Sequence, residues 1–330
     1  MAVVLLTGSA GFIGFYVTKA LLESGDSVIG LDNFNSYYTP ELKRARTAIL
    51  TGYRNFVPVE ADLADPDSVR RCFKEHSPDL VFHSAAQAGV RYSLRNPRAY
   101  QKSNLEGFIN LIEEARLFSV KRFVYASSSS VYGGNTKMPY SEDDPVNSPV
   151  SLYAATKRAN ELIAHSYTHL WKLQTVGLRF FTVYGPWGRP DMAYWSFLEA
   201  ILNREPIKVF NHGKNRRDFT YIDDIVAGAV AALKIDGLGS YEIINLGNND
   251  PVELMDFIET LERFAGLKAV MEMAPPQPGD VVATYADIRK AQVKLGFQPK
   301  TSLKDGLEKF VKWYMDNRDL AEAVRRFRKG

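Results

Sequence analysis

The stretch VVLLTGSAGFIG, residues 3–14, decides the fold class of this 330-residue chain. An apolar run typical of a buried strand leads directly into Gly8, Gly11 and Gly14 and then into a helical pattern. In such a turn, one glycine permits the tight bend, another lets the backbone approach a pyrophosphate, and a third lets the helix pack on the strand. The free N–H groups and the dipole at the helix start then hold phosphates. The spacing GxxGxxG therefore predicts a dinucleotide-binding turn.

Asp32 stands at the end of the second predicted strand, 18 positions after Gly14. A carboxylate at this place accepts hydrogen bonds from both ribose hydroxyls of an adenosine and repels a 2′-phosphate. The acid therefore favours NAD over NADP as the cofactor. A glycine pattern alone also fits a surface turn, but here the preceding strand, the following helix and the acid coincide.

Short β-rich runs alternate with longer helical patterns in the first half of the chain. The predicted strands are Val3–Thr7, Ser27–Leu31, Asn55–Glu60, Leu80–Ser84, Arg122–Ser127 and Thr175–Phe180. Most of them are continuous apolar runs, which is typical of parallel strands covered on both faces. The helical patterns between them include Phe12–Ser24, Pro97–Phe118 and Leu152–Leu170. This alternation predicts an α/β fold with a Rossmann-type doubly wound parallel sheet.

After about residue 180 the pattern becomes mixed, and loops rich in Gly, Pro and aromatic residues interrupt it. The predicted elements there are the strands Ile207–Phe210 and Phe219–Ile222 and the helices Asp224–Leu233, Pro251–Phe264 and Leu303–Tyr314. We expect residues 1–180 to form the dinucleotide-binding domain and residues 181–330 a smaller α+β substrate-binding domain. Tyr241–Leu246 resembles a late strand, so about residues 223–247 are expected to return to the first sheet. The basic stretch Arg325–Lys329 is expected to be a frayed helix end.

The composition limits the function. Lys and Arg number 41 and Asp and Glu 38, for a net charge of +3, which gives no bulk reason to bind nucleic acid or an anionic membrane. The single cysteine, Cys72, excludes an internal disulfide and a thiolate-cluster metal site, and we expect it to be buried. His83 is expected to be a packed residue, and His165 and His169 lack a third ligand, so no metal is expected. The absence of a long apolar run or signal-like start predicts a cytoplasmic protein.

A second chemical signal follows the fifth predicted strand, which ends in the serine run ASSSSVYGG, residues 126–134. Tyr153 and Lys157 lie four residues apart in the next helix and so share one of its faces. A phenol titrates near pH ~10 and is a poor base at neutral pH. A nearby ammonium group and a nicotinamide cation favour the phenolate. We interpret Tyr153 as an acid–base group, although solvated helix residues beside an ordinary strand end fit the same pattern.

The motifs TGSAGFIG, SSSSVYG and YAATK, in this order, resemble those of the extended short-chain dehydrogenase/reductases, which are sugar-nucleotide epimerases, dehydratases and decarboxylases. The resemblance continues through AAQAGVRYSLRNP (85–97), SNLEGF (103–108), LRFFTVYGPWGRPDMA (178–193), VFNHGKNRRDFTYIDDI (209–225), NLGNNDPVEL (245–254) and QPGDVVATYAD (277–287). It implies catalysis by Tyr153, Lys157 and Ser128, although the helping serine could be another member of the 127–130 run. It implies that NAD contacts Gly8, Gly11, Phe12, Ile13, Gly14, Asp32, Asn33, Asp62, Leu63, Ala85, Ala86, Gln87, Asn104, Ser127, Tyr153, Lys157 and Phe180.

Within this family, GVRYS and YGPWGRPDMA are most similar to the branch that interconverts UDP-glucuronate and UDP-galacturonate. That branch transfers a hydride from C4 of the sugar to NAD and back through a 4-keto intermediate. Ser129 and Ser130 stand where dehydratases and decarboxylases carry acids, which favours epimerisation. The alternatives are a UDP-hexose 4-epimerase, a UDP-glucuronate decarboxylase and, from a different class, a catalytically silent NAD-binding regulator.

Oxidation of a uronate at C4 gives a β-keto acid, which readily loses carbon dioxide when its C5–C6 bond aligns with the carbonyl group. A bidentate guanidinium that fixes the carboxylate suppresses this loss, and Arg189 is our candidate. The substrate contacts implied by the resemblance are Arg91, Ser93, Ser128, Ser129, Tyr153, Thr182, Arg189, Phe210, Arg217 and Asp280. Gln277 stands where hexose 4-epimerases usually have an arginine. Relatives dimerise by pairing two helices of the kind predicted over Pro97–Phe118 from each subunit, so the resemblance implies a homodimer.

Overall fold

The computed structural model describes residues 1–276 and 283–329. The first half contains, in order, β1 (Val3–Thr7), α1 (Phe12–Glu23), β2 (Ser27–Asp32), α2 (Pro40–Leu50), β3 (Phe56–Glu60), α3 (Pro66–His76), β4 (Leu80–His83), α4 (Tyr92–Arg95), α5 (Pro97–Tyr100), α6 (Gly107–Leu117), β5 (Arg122–Ser128), α7 (Leu152–Trp171) and β6 (Gln174–Phe180). The second half contains β7 (Thr182–Tyr184), α8 (Ala193–Asn203), β8 (Pro206–Val209), β9 (Arg216–Tyr221), α9 (Ile222–Lys234), β10 (Tyr241–Leu246), β11 (Pro251–Glu253), α10 (Leu254–Ala265), β12 (Val270–Met273), β13 (Ala283–Thr284), α11 (Arg289–Leu295), α12 (Leu303–Asp316) and α13 (Arg318–Lys329). A π-helical segment, Gln101–Glu106, joins α5 to α6, and 3₁₀ turns span Ser129–Tyr132 and Phe210–Gly213.

Seven strands form one sheet in the order β10-β6-β5-β4-β1-β2-β3. Every pairing in this sheet is parallel. The chain runs outward from β1 through β2 to β3 and then returns to place β4 on the other side of β1. The predicted Rossmann-type doubly wound sheet is therefore confirmed, as is the return of Tyr241–Leu246 to its edge. Ligands of such sheets bind beyond the carboxyl ends of the strands, at the point where the strand order reverses.

Two hydrophobic clusters cover the faces of this sheet. On β1, Val4 and Leu6 belong to one cluster and Leu5 to the other, because successive side chains of a strand point to opposite faces. All three side chains are almost completely buried. Burial on both faces explains why this strand is a continuous apolar run rather than an alternating one.

The second half is organised around β9, which pairs with β7, β11 and β13, while β8 pairs separately with β12. Helix α9 packs against α1, and the chain then enters β10 of the first sheet. These contacts support the expected return of about residues 223–247 to the first region. The division of the chain into two domains near residue 180 stays a prediction.

Three predicted elements need correction. Pro251–Glu253 does not begin a helix but forms a short strand, because it pairs with β9, and α10 begins only at Leu254. The helix predicted over Pro97–Phe118 is divided by the π-helical segment. The basic end of the chain is not frayed: it belongs to α13, where Lys329 Nζ lies 2.6 Å from a carboxylate oxygen of Glu205.

Cys72 and His83 are buried in the first region, as expected. Burial raises the pKa of the Cys72 thiol to about 11 and lowers that of His83 to about 3, so both groups are neutral at pH 7. The His83 ring lies 2.7 Å from the Thr7 hydroxyl. In residues 1–276 and 283–329, no cluster of three His, Cys, Asp or Glu side chains is placed to hold a metal ion. Within the same ranges, no helix is both long and apolar enough to cross a membrane.

Candidate active site

The glycine turn between β1 and α1 is shaped by close backbone contacts. Gly8 has a φ of +74°, and a Cβ atom there would lie 2.7 Å from the backbone nitrogen of Ala85. A Cβ atom on Gly14 would lie 2.0 Å from the carbonyl oxygen of Gly8. Gly11 caps α1 without a side-chain acceptor, so no capping side chain covers the first N–H groups of the helix. The turn therefore fits the pyrophosphate of a dinucleotide.

A cavity of about 860 Å³ extends from this turn to Tyr153 along the carboxyl ends of the strands. The predicted cofactor residues that line it are Gly8, Gly11, Phe12, Ile13, Gly14, Asp32, Asn33, Asp62, Leu63, Ala85, Ala86, Gln87, Ser127, Tyr153, Lys157 and Phe180. Asn104 is not part of this wall. Its side-chain oxygen accepts a hydrogen bond from the Gln87 backbone N–H at 2.7 Å, and its amide donates to the Thr156 hydroxyl at 3.0 Å. The structure thus places Asn104 behind Gln87, as a support of that loop.

Asp32 lies buried at one end of the cavity, and its carboxylate is held by the neighbouring backbone. It accepts hydrogen bonds from the N–H groups of Ala10 at 3.2 Å and Phe34 at 2.9 Å. Lys43, which the sequence did not single out, also lines the cavity, and its Nζ lies 3.8 Å from Asp32 Oδ1. The arrangement fixes one negative and one positive group where an adenosine ribose would lie.

Tyr153 and Lys157 project from α7 into the same cavity. Burial raises the pKa of Tyr153 above its ordinary value, while a hydrogen bond with Ser128 and the positive charge of Arg189 act to lower it. Lys157 Nζ donates to the carbonyl oxygen of Ala126 at 2.7 Å, and burial lowers its pKa to about 8. Arg189 therefore adds a nearby charge that favours the phenolate, and the same role for Lys157 stays a prediction.

Two serines of the run at the end of β5 contact different partners. The Ser127 hydroxyl donates to Glu161 Oε1 at 2.6 Å, away from the phenol of Tyr153. The Ser128 hydroxyl donates to the hydroxyl of Ser130 at 3.1 Å, and the interaction of Ser128 with Tyr153 acts to lower the pKa of the phenol. This geometry supports Ser128 as the serine that shares a proton with Tyr153.

Arg189 lies in a cluster of polar side chains that the sequence only partly revealed. Its Nε and Nη2 lie 3.0 Å and 2.5 Å from the two carboxylate oxygens of Asp191. The Tyr37 hydroxyl donates to Asp191 at 3.0 Å. Burial opposes the charge on Arg189, but Asp191 more than offsets this and raises the arginine pKa above its usual value. The cavity wall includes Tyr37, Tyr153, Arg189 and Asp191, and the positive charge of Arg189 acts on the phenol of Tyr153.

The other predicted substrate residues differ in position. Those that line the cavity are Arg91, Ser128, Ser129, Thr182 and Arg217. Ser93 is buried away from the wall, where its hydroxyl donates to the carbonyl of Val90 at 2.6 Å. Phe210 is also absent from the wall, and the Arg91 guanidinium lies 5.6 Å from its ring centre. Asp280 and Gln277 lie outside the described residues.

Comparison with known proteins agrees with this geometry. Residues 4–247 match the NAD dependent epimerase/dehydratase family. UDP-glucuronate 4-epimerase 4 of Arabidopsis thaliana is 51% identical over 328 residues, which cover 94% of this chain and 75% of that protein. An uncharacterized protein of Methanocaldococcus jannaschii is 52% identical over 318 residues, 96% of this chain and 97% of that protein. The crystal structure of a UDP-glucuronic acid 4-epimerase from Bacillus cereus, in complex with UDP-glucuronic acid and NAD, is similar with a TM-score of 0.89 and 35% identity, covering 95% of this chain and 99% of that one.

Proposed function

This chain belongs to the NAD dependent epimerase/dehydratase family, and from that premise we propose that it is an NAD-dependent isomerase that inverts C4 of UDP-glucuronate to give UDP-galacturonate. The observation that carries the substrate class is the guanidinium of Arg189, which lines the catalytic cavity and acts electrostatically on Tyr153. A cation in this place suits a sugar that carries a carboxylate near its reacting carbon. The identities of 48–51% to five Arabidopsis UDP-glucuronate 4-epimerases support the same assignment.

The cofactor end of the cavity fits NAD, because the glycine turn leaves room for a pyrophosphate and Asp32 presents a carboxylate to a ribose. Bound NAD would supply the acceptor and the donor for the hydride of C4, and the glycine turn and Asp32 would hold it. Tyr153 removes the proton from the C4 hydroxyl and later returns it. Ser128 shares that proton, since it acts to lower the pKa of Tyr153, and the positive charge of Arg189 lowers the cost of the phenolate.

Arg189 has a second task, which is to hold the uronate carboxylate. Asp191 takes the Nε and Nη2 edge of the guanidinium, and the edge formed by Nη1 and Nη2 can bind both oxygens of the uronate and so keep the C5–C6 bond out of alignment with the C4 carbonyl group. Loss of carbon dioxide from the 4-keto sugar is thereby suppressed. If Arg189→Ala changed neither the rate nor the distribution of products, this role would be wrong.

The nucleotide end of the substrate is expected to meet Arg91, Thr182 and Arg217, which line the same cavity as Tyr153. We expect Ser93 to act indirectly by shaping the loop that carries Arg91, since its hydroxyl bonds within that loop. Phe210 stays a candidate for contact with the uracil ring through its position beside Arg91.

The test is to incubate the purified protein with UDP-glucuronate, without added NAD, and to identify the products by chromatography and NMR. Formation of UDP-galacturonate is the expected result, and it would also show that the protein retains NAD. UDP-xylose would indicate a decarboxylase. Turnover of UDP-glucose with no uronate product would indicate a UDP-hexose 4-epimerase. Binding without any turnover would indicate the silent NAD-binding regulator.

We also infer a cytoplasmic homodimer. Phe108 and Ile112 of α6 are fully buried, whereas Ile109 is 44% exposed, and Leu162 of α7 is 56% exposed. These outward apolar side chains suit pairing of the two helices with those of a second copy. Light scattering should give twice the mass of the chain, and Ile109→Asp combined with Leu162→Asp should halve it. A monomeric parent protein would overturn the proposal.

A further inference from the structure

Arg46 is an arginine in the interior of the protein. It lies in the middle of α2. This helix is capped by Thr39 and begins at Pro40. Its exposed fraction is 0%, and no carboxylate within residues 1–276 and 283–329 forms an ion pair with it. A buried guanidinium is costly unless its donors are satisfied, so its hydrogen bonds indicate what it is there to hold.

The donors of Arg46 are directed at two loops. Nε donates to the carbonyl oxygen of Trp187 at 3.1 Å, and Nη2 donates to Trp187 and Gly188 at 2.6 and 3.0 Å. Nη1 donates to the carbonyl oxygen of Ala10 at 2.7 Å and to the hydroxyl of Tyr38 at 2.9 Å. One rigid, planar group therefore bonds to backbone segments more than 170 positions apart in the sequence.

Each of these segments belongs to one end of the active site. Ala10 lies inside the glycine turn, and its own N–H donates to Asp32. Gly188 directly precedes Arg189, whose N–H donates to the Tyr194 hydroxyl at 2.9 Å. Trp187 has a φ of +56°, a left-handed conformation that is unfavourable for a bulky residue, and two nitrogens of Arg46 hold its carbonyl group.

From these contacts we propose that Arg46 is a positioning residue that fixes the spacing between the dinucleotide turn and Arg189. Its guanidinium acts as a bracket, since one nitrogen holds the turn and the other two hold the loop that presents Arg189 to the substrate. The inference deepens the proposed function and rests on it, because the position of Arg189 matters only if it meets the uronate carboxylate.

The test measures binding rather than turnover, in a Tyr153→Phe background that is loaded with NAD. Calorimetry gives the dissociation constants of UDP-glucuronate and UDP-glucose for the protein that keeps Arg46 and for its Arg46→Met variant. Loss of the bracket should weaken the binding of UDP-glucuronate by about tenfold or more. The dissociation constant of UDP-glucose, which has no carboxylate, should change by less than about twofold. The same loss should appear with Arg46→Lys, which keeps the buried charge but not the fork. Arg44→Met is the matched control, since Arg44 lies on the same helix, is exposed, and pairs with Glu60.

Two further measurements separate positioning from general structural damage. In the double variant Arg46→Met with Arg189→Met, the second change should add little to the first, because both remove the same contact. The inference would be overturned if Arg46→Met weakened the binding of both nucleotide sugars equally, or if the losses of affinity for UDP-glucuronate were additive in the double variant. If the parent protein itself bound both sugars equally well, the proposed role of Arg189 would fail, and this inference with it.

Discussion

The cofactor end and the sugar end of the cavity are built by different means. At the cofactor end the decisive contacts are between backbone atoms, and Gly8 and Gly14 matter because they lack a side chain. At the sugar end the decisive groups are charged side chains, with Arg189 held by Asp191 and Asp191 by Tyr37. The first kind of site is fixed by steric exclusion, whereas the second depends on protonation and on supporting partners. Substitutions should therefore affect the two ends in different ways.

The largest effect is expected at the junction of the two ends. Tyr153→Phe removes only the hydroxyl that exchanges the proton of the C4 hydroxyl and keeps the ring, so turnover should fall by about 10³-fold. NAD content and the dissociation constant of UDP-glucuronate should change little. Tyr167→Phe is the control, because Tyr167 lies on the same helix and bonds to Glu113 at 3.0 Å. Normal turnover by the Tyr153 variant would remove Tyr153 from the mechanism.

The next effect concerns charge in the interior. Lys157 is 2% exposed, and burial lowers its pKa to about 8, well below the ordinary lysine value. Between pH 8 and the unfolded pKa of about 10.4, the unfolded chain binds more protons than the folded one, so this group increases stability as the pH rises. Relative to Lys157→Met, the free energy of unfolding of the parent should rise by up to about 3 kcal/mol across that range. Urea denaturation of both proteins at pH 7.5, 9 and 10 measures the difference, and a constant difference would contradict the assigned pKa.

At the cofactor end, Gly14→Ala should displace the backbone of Gly8, since the new Cβ atom would lie 2.0 Å from its carbonyl oxygen. We expect NAD affinity to fall by about 100-fold, an effect in the range that a small misplacement of binding groups produces. Gly134→Ala is the control, because the nearest atom to its Cβ, in the Val150 side chain, is 3.9 Å away. The amount of NAD released on denaturation measures how much NAD each purified protein holds. If the Gly14 variant held as much NAD as the parent protein, the turn would be able to adjust to the added methyl group.

The two ends also differ in how far they were predictable. The glycine turn, Asp32 and the parallel strands follow from local sequence, because a strand, a turn and a helix are contiguous in the chain. Local patterns likewise located α7 and the return of Tyr241–Leu246. One failure within elements came from tertiary pairing, since Pro251–Glu253 pairs with β9 in a sheet and does not begin a helix.

The sugar end was less predictable because its partners come from distant parts of the chain. Tyr37 and Asp191 are 154 positions apart, and although Asp191 lies within the quoted motif YGPWGRPDMA, nothing in that motif points to Tyr37. Arg46, in the sequence KRAR, has the appearance of a solvated basic residue, although it is completely buried. An acid two residues after Arg189 was the one local signal that a fixed ion pair stood there. Family resemblance supplied Ser93, Phe210 and Asn104 as contacts, but the fold places all three off the cavity wall.

The smallest expected effect concerns cofactor preference. It tests whether a single charge matters at the cofactor end of the cavity, where steric contacts of the backbone otherwise decide binding. Asp32→Asn removes the repulsion of a 2′-phosphate and leaves Lys43, whose Nζ lies 3.8 Å from Asp32 Oδ1, facing the ribose site. The affinity for NADP relative to NAD should rise by about tenfold, or about 1.4 kcal/mol. Adding Lys43→Met should cancel the gain, because the cation that attracts the phosphate is then gone. Asp26→Asn, directly before the first residue of β2, is the control and should leave the ratio unchanged. Competition binding measures the ratio, and a gain that survived the loss of Lys43 would show that Asp32 acts through repulsion alone.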